Sequence, residues 1–331
     1  MGVEEQEKKV VDDADIDVSV LEGVGPATKQ KLNSAGIYNL MDLVVHSANY
    51  LLEVLGGSMS KVLLLQEKAR AKLTEYRVLY ADFVSADQLY EQRKKIAFIS
   101  TGSKNLDNLL LGGIETQAIT EFYGEFGSGK TQICHTVCVN VQLGADQGGL
   151  SSPAIYLDTE HTFRPSRILE IAENKSDVPF EMLRNIHVAR AMNSSHLRLL
   201  VRNLGRKIRE TDARLVVLDS AVAPFRAEYV GRAQLAERQQ VLNVMMHDLT
   251  RLSELYDVAV LMTNQVMAKP DVFFGDPTRP IGGHVVSHAT TYRLYLRKAR
   301  NARVASIMDS PHHPPGEAVF IIAKEGILDQ D

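Results

Sequence analysis

An α/β fold with a mostly parallel twisted sheet, preceded by a small all-α domain, is what three features of this 331-residue sequence predict. A glycine-rich loop sits between a short apolar run and a helical stretch. From residue 96 onward, short runs rich in Val, Ile and Leu alternate with longer helical patterns, the alternation that builds parallel sheets covered on both faces. Residues 18–75 carry amphipathic helical patterns and no strand signal.

The loop reads Gly124-Glu125-Phe126-Gly127-Ser128-Gly129-Lys130-Thr131, which is the G-x-x-x-x-G-K-[ST] pattern of a phosphate-binding loop. Residues 118–123 before it read as a buried strand, and Gln132 to Val139 after it as the first turns of a helix. Strand, glycine turn and helix start is the setting in which the pattern binds phosphate. Its glycines let successive N–H groups face one point, and the helix N-terminus adds partial positive charge there. Lys130 is expected to reach the β- and γ-phosphates of ATP, and the Thr131 hydroxyl to hold Mg²⁺.

Composition sets the frame. With 45% hydrophobic and 24% charged residues, a sizeable core is available in one large domain or two unequal ones. No apolar run is long enough to cross a bilayer, and the acidic N-terminus has no apolar signal core, so an intracellular, cytoplasmic location is expected. The formal charge of −4 excludes bulk electrostatic attraction to nucleic acid but leaves room for a local basic groove. Cys134 and Cys138, four apart on one helix, read as reduced core thiols rather than a metal or redox pair.

Taken in order, residues 1–17 hold seven acids against two lysines and read as a disordered acidic tail. Residues 18–75 begin with Gly23-Val24-Gly25-Pro26, a tight turn leading into a helix with proline in its first turn. Gly36 suits the left-handed position that ends that helix. Further helices are expected over 37–45, 50–55 and 61–73, with a break at Gly56-Gly57-Ser58. The Gly23-Val24-Gly25 turn resembles the helix-hairpin-helix module, whose amides hold a DNA phosphate; an ordinary helix–helix turn is the alternative. Residues 76–95 form a connector in which Phe83 and Ala86 are apolar among polar neighbours. Such a pair can anchor a linker on its own domain or plug into a neighbouring subunit as an added strand. The core domain, 96–331, has expected strands at 118–122, 154–158, 186–189, 215–219, 259–263, 292–298 and 318–323. Residues 292–298 alternate and no long helix separates them from 302–308, so the C-terminal part is expected to be antiparallel.

Three strand ends carry the chemistry around the loop. Leu215-Val216-Val217-Leu218-Asp219 is a buried strand ending in an acid, placing a carboxylate near the Mg²⁺ shell. Ile155-Tyr156-Leu157-Asp158-Thr159-Glu160 is another; Glu160 is placed to activate water, while Asp158 could cap the next turn. Leu261-Met262-Thr263-Asn264-Gln265 ends in uncharged amides, and Gln265 suits a γ-phosphate sensor. The following segment, 266–283, is proline-rich and reads as a long loop carrying Lys269, Phe273, Phe274 and Arg279. Cations mixed with aromatics suit single-stranded nucleic acid. Residues 221–240 carry Arg226, Arg232 and Arg238 at a six-residue spacing that shares no helical face, and read as loop followed by helix; solvated surface is the alternative to phosphate contact.

Together Gly124 to His135, Asp158-Thr159-Glu160 with Phe163-Arg164-Pro165, Asn264-Gln265-Val266 and Pro280-Ile281-Gly282-Gly283 resemble the RecA-type strand-exchange recombinases, in particular their archaeal branch, from about residue 18 to the C-terminus. The resemblance implies a RecA-like P-loop ATPase core behind a helix-hairpin-helix domain. It implies a DNA-dependent ATPase that forms helical filaments on single-stranded DNA and carries out homologous pairing and strand exchange in recombinational repair. Implied partners are single- and double-stranded DNA, further copies of the chain, and mediator proteins; no membrane is implied. It implies that Phe83-Val84-Ser85-Ala86 docks on the next protomer and that Glu160 is the catalytic glutamate. It also implies that Arg167 packs near adenine, that Arg226, Arg232 and Arg238 belong to a first DNA loop and its flank, and that 267–283 form a second. His288 resembles a γ-phosphate sensor, and Asp309 a residue that caps ATP across the subunit interface. Two departures stand out: His161, where relatives often have a small or amide residue, and Asn301-Ala302-Arg303, which lacks a common glycine. A mediator paralogue with little exchange activity and a hexameric helicase are the rival readings. The hairpin module and Phe83-Val84-Ser85-Ala86 weigh against the helicase, and two full DNA loops against the mediator.

Overall fold

The computed structural model describes residues 16–76, 78–79, 83–268 and 278–330. The chain divides into two compact units, one holding the residues up to Lys95 with Arg202–Arg206, the other Ile96–Val201 and Lys207–Asp331.

Among its described residues the first unit is built of helices, with one isolated bridge between Asp17 and Asn39. Its helices are α1 (Pro26–Ser34), α2 (Leu40–Val45), α3 (Ala48–Leu55), α4 (Met59–Glu75) and α5 (Ala86–Arg93). Their starts are set by local chemistry. Gly25 precedes Pro26, whose fixed φ suits a first turn. Asn39 and Asp42 form a reciprocal capping box on α2, and the Ser47 hydroxyl accepts from the Tyr50 amide at the start of α3. Leu32, Leu40, Leu43, Leu51, Val62 and Leu73 bury one apolar face from each of α1 to α4 into a small core. Helix α5 lies inside the stretch read as a connector, started by Ser85 and Gln88, and none of its residues is buried.

The second unit is a ten-stranded sheet with helices. Its elements are β1 (Phe98–Ile99), α6 (Lys104–Leu109), β2 (Ile114–Glu115), β3 (Ile119–Gly124), α7 (Lys130–Asn140), β4 (Ala154–Asp158), α8 (Pro165–Glu173), α9 (Pro179–Arg184), β5 (Ile186–Arg190), α10 (Ser194–Arg202), α11 (Leu204–Thr211) and β6 (Leu215–Asp219). They continue with α12 (Ala223–Glu228), α13 (Leu235–Leu255), β7 (Ala259–Ala268), β8 (Thr278–Pro280), α14 (Gly283–Ala289), β9 (Tyr292–Ala299), β10 (Ala302–Asp309), β11 (Glu317–Ala323) and β12 (Gly326–Asp329). The spatial order is β12-β11-β10-β9-β3-β7-β6-β4-β5, with β8 beside β7 and the short β1–β2 pair apart. From β9 to β5 the neighbours are parallel; from β9 to β12 they are antiparallel. Every residue of β3, β4 and β6 is buried, as strands covered on both faces require. The core joins Phe122, Tyr156, Val217 and Leu261 of the sheet to Ile133, Cys134, Val137 and Cys138 of α7. Both cysteines are free and buried, and burial pushes both thiols up.

Two expectations need adjustment. Strand β7 runs to Ala268, past the expected end, because β8 folds back against it and pairs Val266, Met267 and Ala268 with Pro280, Arg279 and Thr278. Residues 266–268 and 278–280 therefore form a two-stranded ribbon. Residues 223–228, read as loop, are helical, and Pro224 stands in the first turn of α12 where its missing N–H costs nothing.

Backbone conformation bears on one of the two departures from the family pattern, His161, and nothing in the backbone explains the other. His161 follows Glu160 with φ 56°, a left-handed position that small and amide side chains tolerate best and that histidine adopts more readily than most. In the turn joining β9 to β10 it is Arg300, just before Asn301-Ala302-Arg303, that holds the left-handed conformation, with φ 45°.

Candidate nucleotide site and nucleic-acid interface

The parallel strands β3, β4, β6 and β7 all end at one edge of the sheet, and each delivers a functional group there. A crevice beyond the carboxyl ends of parallel strands is where open α/β sheets bind ligands. Here it is a cavity of about 840 Å³ lined by Phe126, Gly127, Gly129, Lys130, Thr131, Gln132, Glu160, Arg167, Asp219 and Gln265.

The loop leaves β3 at Gly124, where an added Cβ would lie 2.2 Å from the Leu296 carbonyl oxygen of β9. Only glycine lets the two backbones approach so closely. Ser128 is buried, Glu125 belongs to the loop itself, and Phe126 is 92% exposed. Lys130 Nζ donates to the carbonyl oxygens of Gly124 and Glu125 at 2.8 and 2.9 Å. Burial holds the Lys130 ammonium below its usual range, against the pull of Asp219 and Glu160.

Asp219, at the end of β6, is the hub of the polar floor. Its Oδ2 accepts from the hydroxyls of Thr131 (2.8 Å), Tyr156 (2.7 Å) and Thr162 (3.1 Å), and its Oδ1 from Thr263 (2.5 Å). Burial and the Asp219 charge push the Tyr156 phenol up, so it stays a donor. Asp158 turns the other way: its carboxylate accepts from the amides of Thr162 and Phe163, so it caps the turn after β4 and leaves Glu160 facing the cavity. Gln265 Nε2 donates to Glu160 Oε1 at 3.0 Å and Oε2 at 3.2 Å. Arg167 lies at the cavity wall, donating to Gln132 Oε1 at 2.8 Å and to the carbonyls of Ala323 and Lys324.

The donor set fits a magnesium nucleotide. A lysine ammonium resting on loop carbonyls, a threonine hydroxyl on a buried carboxylate, and a buried Ser128 hydroxyl without a partner among the described residues together suit a polyphosphate and an oxygen-ligated cation.

Sequence reasoning missed the hydroxyls of Tyr156, Thr162 and Thr263, and the cavity residues Glu170, Arg303 and 322–324. Thr263 had a signal, since it directly precedes the amides ending β7. Tyr156 had none, because a mid-strand tyrosine reads as core. His288 and Asp309 do not line this cavity: His288 stacks on His284 within α14, and Asp309 is exposed at the end of β10.

A second cavity, about 540 Å³, gathers Arg226 and Arg238 with Gly282, Gly283, His284, Ser287, Arg293 and Tyr123. Arg226 projects from α12 and Arg238 from α13. Arg232 lies in a 3₁₀ turn between those helices and Arg279 on β8 beside Met267. Lys269, Phe273 and Phe274 lie outside the described residues. In the first unit, Gly23 lines a groove of about 460 Å³ with Lys31, Lys61 and Lys68, and Gly25 caps α1. Phe83 is 96% exposed and Ala86, at the start of α5, is exposed as well. Among the described residues no helix is long and apolar enough to cross a membrane.

The model of the Rad51 family matches residues 92–330. The chain is 50% identical over 316 residues to a DNA repair and recombination protein RadA from Cenarchaeum symbiosum (strain A), an alignment covering 95% of this chain and 79% of that protein. With the P-loop core behind a small helical unit, these matches place the chain plainly: it belongs to the Rad51 family, in its archaeal RadA branch.

Proposed function

We propose that this chain is a DNA-dependent ATPase that polymerises on single-stranded DNA and carries out homologous pairing and strand exchange in recombinational repair. The single observation that carries the reading is the joining of two cavities through one strand. Gln265, at the end of β7, holds Glu160 in the nucleotide cavity, and the same strand continues into the ribbon beneath the arginine-lined one. The RadA relative's name supports the reading.

In this reading the loop amides and Lys130 hold the phosphates of ATP. Thr131 and Asp219 would hold Mg²⁺, which would supply positive charge to neutralise the phosphates. Glu160 accepts the proton of the attacking water, and Gln265 orients that carboxylate and senses the γ-phosphate. Arg167 and Gln132 border the base. Arg226, Arg232, Arg238 and the 267–283 segment bind the single strand. Gly23 and Gly25 hold a duplex phosphate. Phe83 and Ala86 dock on the next protomer, which brings His288 or Asp309 to a neighbour's nucleotide. An exposed phenylalanine two residues before the cap of a short helix is a feature of a surface awaiting a partner.

The test is ATP hydrolysis with and without single-stranded DNA, on one sample also imaged by negative stain. Strong stimulation with DNA-length filaments supports the reading. Nucleotide binding without stimulation or filaments replaces it with the mediator reading.

A further inference from the structure

We propose that Asn264, backed by the buried pair Glu121–Arg293, is a positioning residue that transmits nucleotide state from Gln265 to the base of the second DNA loop. The inference rests on the function proposed above and names side chains which that reading does not use.

The geometry is a two-point clamp. Gln265 accepts the Ile281 amide on its carbonyl oxygen at 3.0 Å. Asn264 Nδ2 donates to the Ile281 carbonyl oxygen at 2.6 Å. Ile281 is thus held through both its backbone groups by two consecutive residues of β7, and Gly282 and Gly283 follow it directly. Gly282 has φ 98° and is the N-cap of α14, so this corner leads directly into that helix, and a Cβ there would lie 2.5 Å from Val286 Cγ2, which keeps the position for glycine. Any shift of Gln265 as its side chain exchanges Glu160 for a phosphate oxygen is therefore delivered to the backbone at 281–283.

Asn264 is itself anchored from behind. Its Nδ2 also donates to Glu121 Oε1 at 2.8 Å. Glu121, fully buried on β3, accepts from Arg293 Nε of β9 at 2.6 Å, and Arg293 Nη1 donates to Ser287 Oγ of α14 at 2.7 Å. Four elements, β3, β7, β9 and α14, meet in this network. It also sits beside the phosphate loop, since Gly124 and Tyr123 of β3 stand opposite Gln265 and Asn264 in the parallel register.

A stabilising element alone would be fully satisfied. This one is not: Asn264 Oδ1 and Arg293 Nη2 are buried without hydrogen-bond partners among the described residues, and the Arg293 guanidinium has only the face of the Tyr123 ring on that side, 5.3 Å to its centroid. A buried polar group left without a hydrogen bond is destabilising. A buried ion pair is also a poor stabiliser compared with apolar packing. Such a network is suited to a second arrangement, as a switch element requires.

The experiment measures affinity of the full chain for a labelled oligothymidylate by fluorescence anisotropy, with and without a non-hydrolysable ATP analogue and Mg²⁺. The ratio of the two affinities is the coupling, typically about 5- to 150-fold between linked sites. Asn264→Ala is expected to bring the ratio to within about twofold of one while analogue affinity stays near that of the parent. Glu121→Gln is expected to lower the ratio in the same direction, and the double variant to lose no more than Asn264→Ala alone. If Asn264→Ala does not fold, Glu121→Gln and Ser287→Ala carry the test. A parent-like ratio in the folded variants overturns the clamp, as does equal weakening of both affinities, which marks a merely structural role. A parent ratio of one overturns the function proposed above, and the clamp with it.

Discussion

Gln265 Nε2 lies 3.0 and 3.2 Å from the two carboxylate oxygens of Glu160, so an uncharged amide from one strand holds the acid of another. The pair reaches across the sheet from β7 to just past the end of β4, and both residues line the cavity beside the phosphate loop. An amide in this position orients the carboxylate without adding a charge of its own.

Glu160→Gln keeps the shape of that contact and removes the base. ATP binding is expected to stay near that of the parent and the turnover rate to fall about 10²- to 10⁴-fold, the usual contribution of a general base. Single-turnover hydrolysis measures it, and a rate within tenfold of the parent would remove Glu160 from the catalytic role.

Lys130→Ala deletes a partly buried ammonium that donates to two loop carbonyls. Charge-assisted hydrogen bonds contribute about 1.5–3 kcal/mol each, so nucleotide affinity is expected to fall by about two orders of magnitude. Titration calorimetry with a slowly hydrolysed analogue reads this directly; affinity within threefold of the parent contradicts the phosphate role.

Phe83→Glu changes a side chain that touches almost nothing in its own chain. Stability is expected to move by less than about 0.5 kcal/mol, as for exposed sites generally. Filaments on single-stranded DNA are expected to disappear. Long filaments seen by electron microscopy in a normally folded variant would rule out docking through Phe83.

His135 lies in the core against Tyr156 and Phe163, with neither ring nitrogen bonded among the described residues. Burial lowers its pKa from 6.5 to about 4. The unfolded chain therefore binds the extra proton first, and stability is lost as pH falls from 6.5 towards 4. This one group is expected to cost about 2 kcal/mol between pH 7.5 and pH 5. His135→Phe should flatten that part of the profile in urea unfolding; an unchanged slope shows that the imidazole is not buried neutral.

Gly124→Ala would place a methyl group against the rigid backbone of β9. Overpacking of this kind costs about 1–3 kcal/mol. Thermal unfolding is expected to show the loss with the Lys130 side chain intact, and a parent-like midpoint would mean that β3 and β9 can part.

Much was legible before any coordinates. The run Leu215-Val216-Val217-Leu218 ending in Asp219 announces a doubly covered strand, because apolar residues at every position leave neither face for water. The phosphate loop is a local object: glycines, lysine and threonine within eight residues do their work through backbone turns and one helix start. Helix starts at Pro26, Asn39 and Ser47 are local as well, since a cap bonds amides two or three residues away.

What stayed hidden depended on strand order. Nothing near Tyr156 in the chain says that its hydroxyl meets Asp219, 63 residues away, because that contact exists only once β4 lies beside β6. The clamp of Asn264 on Ile281 and the meeting of Glu121 with Arg293, 172 residues on, have the same origin. The sequence by itself determined the fold class, the phosphate loop and which residue types end each strand, because those depend on short-range periodicity and turn chemistry. The tertiary structure alone decided which strand ends share a cavity and which buried polar groups pair, because hydrogen bonds between strands follow sheet register, and register is set by packing across the whole domain.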